Sequence, residues 1–287
     1  MIAIEGPGGK VDMTERTDSM DSIECSKSGA TVEISQASKI YQTREGDEVV
    51  ALDNIDLKIG AGSFVAVVGP SGCAKSTLLS MLAGLTPAST GQISINGEKI
   101  SKPHRKTGVV FQSDLLLYWR TILDNILLPI EIKKLDADAC RLRAEALLKQ
   151  VGLDGFGNKY PSELSGGMRQ RVAICRAIIQ DPDLLLMDEP FGALDALTRE
   201  QMIMDLQAVW LRIQNTVLFI THGIEEAVFL GDRVLVMSPR PGRVDLDLKI
   251  EIPRPRKWRV AHEDKDFQRY VRQIRDIFEA KGVLVAH

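Results

Sequence analysis

Apolar and polar positions change rhythm repeatedly along this chain, and each change marks an element. Val32 and Ile34 alternate with polar neighbours, the period of a half-exposed strand. Thr43 to Glu48 is polar and reads as a hairpin turn, after which Val49 to Ile59 resumes strand character. Phe64 to Val68 is an unbroken apolar run and predicts a buried strand. A small, glycine-rich loop follows, and Lys75, Ser76 and Thr77 open a helix that Gly84 and Pro87 end. Gln92 to Ile100 carries Asn96-Gly97 between apolar alternations, a hairpin pattern. Val109-Val110-Phe111 is a short buried strand with Gln112 directly behind it.

The middle of the chain shifts to a helical period. Cys140, Ala144, Leu147, Leu148 and Val151 share one face of a helix that Gly152 stops. Another helix begins near Gly167, with Met168, Val172, Cys175 and Ile179 on one side. Leu184 to Met187 returns to a buried strand that ends in Asp188-Glu189. Met202, Leu206, Val209, Trp210 and Ile213 stripe a long helix, Thr216 to Thr221 is a core strand ending at His222, and Val244 to Ile252 alternates as a late strand. The pattern predicts an α/β fold: a mainly parallel core, an antiparallel β part near the N-terminus, and a helical insert between about 113 and 182. From Pro253 the chain is first basic (Arg254, Arg256, Lys257, Arg259), which reads as a solvated face. Phe267, Val271, Ile274, Ile277 and Phe278 then form one helical stripe, expected to pack on the core or on a sister subunit. Residues 1 to about 30 are polar and aperiodic and predict a flexible tail.

Composition narrows the class. A chain of 287 residues can bury a substantial core. Its 36 basic and 39 acidic residues give a net charge of −3, without the basic excess of a nucleic-acid binder. No apolar run approaches the roughly 18–20 residues of a membrane span. The opening Met-Ile-Ala-Ile-Glu-Gly-Pro lacks the pattern of a secretory leader. Cys25, Cys73, Cys140 and Cys175 show no paired spacing, which argues against a disulfide framework or zinc site and for the reducing cytosol.

The chemistry gathers at loop positions. Gly69, Pro70, Ser71, Gly72, Cys73 and Ala74 lie between a strand and a helix N-terminus, the context of a phosphate-binding loop. There, backbone N–H groups curl around phosphate oxygens and the helix dipole favours their charge. Lys75 would neutralise the β- and γ-phosphates, the Ser76 hydroxyl would ligate Mg²⁺, and Thr77 completes the pattern. The pattern ordinarily has glycine before the lysine. Ala74 stands there instead, and its methyl is expected to crowd the ligand or strain the loop by about 1–3 kcal/mol. Asp188-Glu189 is a carboxylate pair at the end of a buried strand. If that strand neighbours the phosphate-loop strand, Asp188 can hold Mg²⁺ through water while Glu189 orients or deprotonates an attacking water. Ser165, Gly166 and Gly167 open a second helix whose free amides suit an anion. Taken singly, these have ordinary readings: a linker turn for Ser-Gly-Gly, a solvated Asp-Glu, a capping histidine at His222.

In this order, the motifs resemble the ATP-binding cassette family, the nucleotide-hydrolysing subunits of ABC transporters, over about residues 31 to 250. The resemblance rests on Gly69 to Thr77 (phosphate loop), Gln112 (Q-loop) and Leu164 to Met168 (signature). It continues through Leu184 to Glu189 (Walker B strand and catalytic glutamate), Gly192-Ala193-Leu194-Asp195 (D-loop) and His222 (switch histidine). Tyr41 looks like the aromatic that stacks on adenine. The resemblance implies a P-loop NTPase core at 31–250, followed by a C-terminal helical extension at 251–287. It also implies ATP and Mg²⁺ as ligands, with Ser76, Gln112 and Asp188 at the metal and Glu189, Gln112 and His222 in hydrolysis. A head-to-tail dimer is implied, in which Ser165-Gly166-Gly167 of one copy faces the phosphate loop of the other across ATP. Transmembrane permease subunits, indirectly a solute-binding protein, and the cytoplasmic membrane face complete the setting.

Within the family, Leu115 to Thr121, Asp188 to Arg199 and Ser238 to Arg243 look like the importers of nitrate, sulfonates and taurine. The segment Leu115 to Ile126 has two open readings, packing within the insert or a groove for a short permease helix. The chain departs from the usual pattern at Ala74, Tyr118 and Met168. Ala74 also supports an alternative, a catalytically impaired nucleotide-binding or structural subunit. Soluble relatives acting on DNA or ribosomes are disfavoured by the single motif set and the absence of basic excess.

Overall fold

The computed structural model describes residues 29–192 and 194–283. The N-terminal tail expected at 1–30 lies outside them except for its end, and Ala193 of the D-loop lies outside as well. Ala30, placed in the tail by composition, is buried; its N–H donates to Asp183 O at 3.0 Å and its carbonyl accepts from Thr216 Oγ1 at 2.6 Å.

The early alternation folds as an antiparallel hairpin of β1 (Val32–Gln42) and β2 (Glu48–Ile59), closed by Thr43 N–H to Asp47 O at 2.8 Å. Next come β3 (Phe64–Val68), α1 (Lys75–Leu82), β4 (Thr90–Ile95) and β5 (Glu98–Lys99). Asn96 and Gly97 both take positive φ, 51° and 78°, the conformation a tight two-residue hairpin demands. One four-stranded sheet has the order β2-β1-β4-β5.

The second sheet has six strands. It adds β6 (Thr107–Val110), β7 (Leu184–Asp188), β8 (Thr216–Ile220), β9 (Arg233–Met237) and β10 (Val244–Lys249), in the order β10-β9-β3-β8-β7-β6. All its pairings are parallel except β9 with β10. The carboxylate strand β7 is therefore not the neighbour of the phosphate-loop strand, because β8 lies between them. The arrangement still brings their ends together: Val67 and Asp188 both pair in register with Ile220, so the three carboxyl ends finish level.

Strand β3 shows why the central run is unbroken. Phe64, Ala66 and Val68 enter one core cluster with the helices, while Val65 and Val67 enter the other with β1, β2 and α1. A parallel strand covered on both faces has no polar position to spare. Between β6 and β7 the chain runs through α2 (Ile122–Ile132), α3 (Ala137–Gln150) and α4 (Gly166–Ile178). The N-cap Thr121 starts α2 by accepting from Asp124 N–H at 3.2 Å. The segment 115–126 divides between its two readings: Leu116, Ile122, Leu123 and Ile126 are core, whereas Leu115, Tyr118 and Trp119 are exposed. Buried Asn125 holds that turn, accepting from Leu117 N–H at 2.7 Å and donating to the carbonyls of Leu117, Arg120 and Thr121.

The remaining helices are α5 (Ala196–Ile213), α6 (Ile224–Leu230), α7 (Trp258–Glu263) and α8 (Lys265–Ala280). The predicted C-terminal stripe packs on the chain's own core, with Phe267, Val271, Ile274 and Phe278 buried. The basic run before it is a correction, since only Lys257 and Arg259 are exposed. Arg256 is buried and donates from Nη1 to the carbonyls of Val228 (2.8 Å), Phe229 (2.7 Å) and Gly231 (2.9 Å). It thus satisfies the free carbonyls at the end of α6, and burial lowers its pKa to about 10. Arg254 pairs with Asp232 at 2.9 Å and lies 4.5 Å above the Trp210 ring.

Candidate active site

Close packing dictates the loop after β3. A methyl added to Gly69 would come within 2.7 Å of Cys73 Sγ and 3.1 Å of Met237 Cβ, so only glycine fits. Ala74, the residue before α1, holds φ 69° and ψ 29°, a left-handed conformation that glycine adopts without cost. The expected strain is therefore in the backbone, and the Ala74 methyl packs against the second core cluster. Lys75 is 7% exposed, and its ammonium donates to Gly69 O at 2.8 Å and Pro70 O at 3.1 Å. Cys73 is buried, and burial pushes its thiol pKa upward against the attraction of Lys75.

The carboxylates meet this loop across β8. Burial raises the Asp188 pKa, opposed by a hydrogen bond from Ser76 and the charge of Lys75. Glu189 leaves its strand with φ 46° and its N–H donating to Ile220 O at 2.9 Å. Its Oε1 lies 3.9 Å from Lys75 Nζ and its Oε2 3.5 Å from His222 Nδ1. A methyl built at Gly192 would lie 3.5 Å from Glu189 O, 3.7 Å from Gln112 Nε2 and 3.8 Å from His222 Cε1. Lys75, Ser76, Asp188, Glu189, Gln112 and His222 thus converge at the carboxyl edge of the parallel sheet, where open α/β folds place their ligands. An ammonium, a hydroxyl and a half-buried carboxylate side by side suit a phosphate with its divalent counter-ion, and Glu189 and His222 suit proton transfer.

Other predicted residues sit apart. Ser165 caps α4, its Oγ accepting from Met168 N–H at 3.3 Å, and Gly166 is exposed. Gly167 is buried where any methyl would meet Thr198 Cγ2 at 2.7 Å. Among the described residues, no hydrogen bond or ion pair joins Ser165, Gly166 or Gly167 to Gly69–Thr77. Asp195 caps α5 by accepting from Thr198 N–H at 3.1 Å, and bonds from Thr198 hold its carboxyl below the usual range. Tyr41 lies on β1 opposite Val49, with Lys39 Nζ 5.1 Å from its ring centroid.

Three features were not read from the sequence. Asp114 accepts from Arg169 Nε at 2.8 Å, and Arg176 donates to Asp114 O and Leu115 O at 2.7 Å each, tying the segment after Gln112 to α4. Glu226 is buried behind His222, bonded by the Thr221 hydroxyl. Arg199 reaches Glu226 from α5. Charged residues in loops and helical segments look like surface; for Glu226, only His222 four residues before it pointed here.

A buried parallel strand that runs through a glycine-rich loop into Lys-Ser-Thr, with acids at the level end of the next strand but one, defines a P-loop nucleotide-hydrolysing fold. The family profile described as ABC transporter matches residues 52–192. The chain is 50% identical over 220 residues to the taurine import ATP-binding protein TauB of Rhizobium johnstonii, covering 75% of this chain and 84% of that one. It is 41% identical over 254 residues to the aliphatic sulfonates import ATP-binding protein SsuB of Bacillus cereus, covering 88% and 98%. The dimeric ATP-binding cassette MJ0796, solved in a post-hydrolysis state with ADP and Pi, superposes with a TM-score of 0.69 at 33% identity, over 77% of this chain and all of that one. The chain belongs to the ABC transporter family and is one of its ATPases.

Proposed function

We propose that the chain hydrolyses ATP, with Mg²⁺, as one of two head-to-tail copies on the cytoplasmic face of a membrane, and so drives uptake of a small sulfonate- or taurine-like solute through a separate permease. The observation that carries this is Glu189, set between the Lys75 ammonium and the His222 ring at 3.9 and 3.5 Å. Lys75 neutralises the β- and γ-phosphates inside the loop formed by Gly69 to Ala74. Ser76 and Asp188, whose side chains face one another, would hold Mg²⁺ with Gln112, and the ion would supply neutralisation of phosphate charge. Glu189 accepts a proton as water attacks the γ-phosphorus, His222 keeps that water aligned, and ADP departs with phosphate. Tyr41 stacks on adenine.

The exposed start of α4 at Ser165 and Gly166 supports its use by a second copy, whose amides and hydroxyl would receive the γ-phosphate. The dimeric state of the superposed cassette supports the same assembly, in which Asp195 would lie with the nucleotide. Exposed Leu115, Tyr118 and Trp119, braced by Asn125, support a docking face for a permease helix, and through that permease an indirect link to a solute-binding protein. The solute class rests on the relatives' names, taurine and aliphatic sulfonates. Neither the fold nor the relatives favour the non-catalytic alternative drawn from Ala74.

The test is Glu189→Gln in the full chain. Mg²⁺-dependent ATP hydrolysis is expected to fall by about 10²–10⁴-fold, with ATP then trapping a dimer in size-exclusion chromatography. Hydrolysis at the parent rate overturns the assignment. Uptake of taurine or an alkanesulfonate by vesicles carrying the permease and this chain tests the solute class.

A further inference from the structure

We propose that Arg199 and the buried Glu226 form a positioning pair that locks the turn carrying His222 to the turn leading into Asp195, so that both loops of the hydrolytic site take their places together. This inference rests on the reading of the site as an ATPase.

The connection can be followed atom by atom. Gly223 N–H donates to Thr221 Oγ1 at 2.9 Å, and the Thr221 hydroxyl donates to Glu226 Oε2. Glu226 Oε1 lies 3.7 Å from Arg199 Nε, and Arg199 Nη2 donates to Leu194 O at 3.1 Å. Thr221 and Gly223 flank His222 on both sides, and Leu194 precedes Asp195. A single run of polar contacts therefore fixes the backbone on either side of the histidine and reaches the start of α5.

Two further observations show that Glu226 belongs to this run and is not merely filling space. Arg199 Nε is shielded from solvent and makes no hydrogen bond among the described residues, so the Glu226 carboxylate is the charge that balances it. A shielded charge without its partner is costly, so removing either member breaks the pair and removing both costs no more than removing one. Gly223 also leaves room for the carboxylate: a methyl there would stand 2.8 Å from Glu226 Cδ. Its φ of −85° is open to any residue, so space and not backbone freedom requires the glycine. Burial pushes the Glu226 pKa upward, while the Thr221 hydrogen bond and then Arg199 and His222 favour its ionised form.

Steady-state ATP hydrolysis by the full chain, with its thermal midpoint recorded alongside, tests the pair. Glu226→Gln keeps the size and the Thr221 contact; kcat is expected to fall about tenfold while KM for ATP stays within about twofold. Arg199→Met should match it, and the double variant should lose no more than either single change, because the pair acts as one unit. Arg199→Lys should recover part of the loss. Glu225→Gln, next along α6 but facing His262 (3.2 Å) and Arg275 (3.3 Å), should leave kcat within about twofold of the parent. Arg199 is partly open to solvent, so Arg199→Met carries the test should the buried Glu226→Gln chain not fold. An active parent whose single variants lower only the thermal midpoint overturns the proposal, as do losses that multiply in the double variant. A parent chain with no Mg²⁺-dependent hydrolysis removes the ATPase reading itself, and the pair with it.

Discussion

Replacing Ala74 with glycine separates two effects that the sequence runs together, strain in the phosphate loop and crowding of the phosphates. An L-residue held left-handed costs about 1–2 kcal/mol, and Ala74 is held at φ 69° and ψ 29°. Glycine removes that cost but gains freedom in the unfolded chain worth about 0.4–1 kcal/mol. It also gives up the methyl's contact with the second core cluster, at most about 0.8 kcal/mol for one buried carbon. These contributions nearly cancel, so Ala74→Gly should move the thermal midpoint by no more than about 2–4 °C. The strain is already carried by the free loop, and the methyl packs toward the core. ATP affinity should therefore change less than about threefold, roughly 0.7 kcal/mol. Titration calorimetry with ATP in a Glu189→Gln background measures this without turnover. Tenfold tighter binding in Ala74→Gly, about 1.4 kcal/mol, would show that the methyl meets the phosphates and that the argument from packing is wrong.

Asp188→Asn should abolish Mg²⁺-dependent hydrolysis yet raise the thermal midpoint at pH 7. Burial lifts the folded pKa above the unfolded one, so the native chain carries a penalty that grows as pH rises between the two values. The gain should disappear near pH 3, where the carboxyl is protonated in both states at about or below its ordinary pKa of 3.9; a midpoint lowered at pH 7 contradicts this. Arg256→Met should destabilise the chain by about 3 kcal/mol in urea unfolding, one for each carbonyl of the α6 end left without its donor. A loss under about 1 kcal/mol would mean that water replaces the guanidinium. Cys73, buried with a raised thiol pKa, should react with iodoacetamide at pH 7.5 at least about tenfold more slowly than in the unfolded chain. Equal rates would show that the loop opens readily.

Much of the architecture was legible because its causes are local. The rhythm of Phe64 to Val68, the positive-φ pair Asn96-Gly97 and the helical stripe ending at Phe278 each depend on neighbours in the chain. So does the turn of the phosphate loop at Gly72, which has open space around it and a positive φ of 79°, whereas Gly69 answers to Cys73 and to distant Met237. What was not legible depends on distant partners. An apolar run states that a strand is buried but not which strand lies beside it, and so β8 between β3 and β7 went unseen. Strand β9 and helix α6 are both short and apolar, and over so few residues the two periods look alike. Arg256 and Glu226 were misread or missed because a charged side chain reads as solvated until its partner is known, here the α6 carbonyls and Arg199.

The clasp of Arg256 over the end of α6 also bears on the order in which a ribosome delivers the chain. The helix that follows His222 emerges with its terminal carbonyls bare and the Phe229 ring unroofed, until Arg256 and Trp258 follow it. The chain therefore carries Lys75, Asp188, Glu189 and His222 before the residues that close the end of α6 have been made.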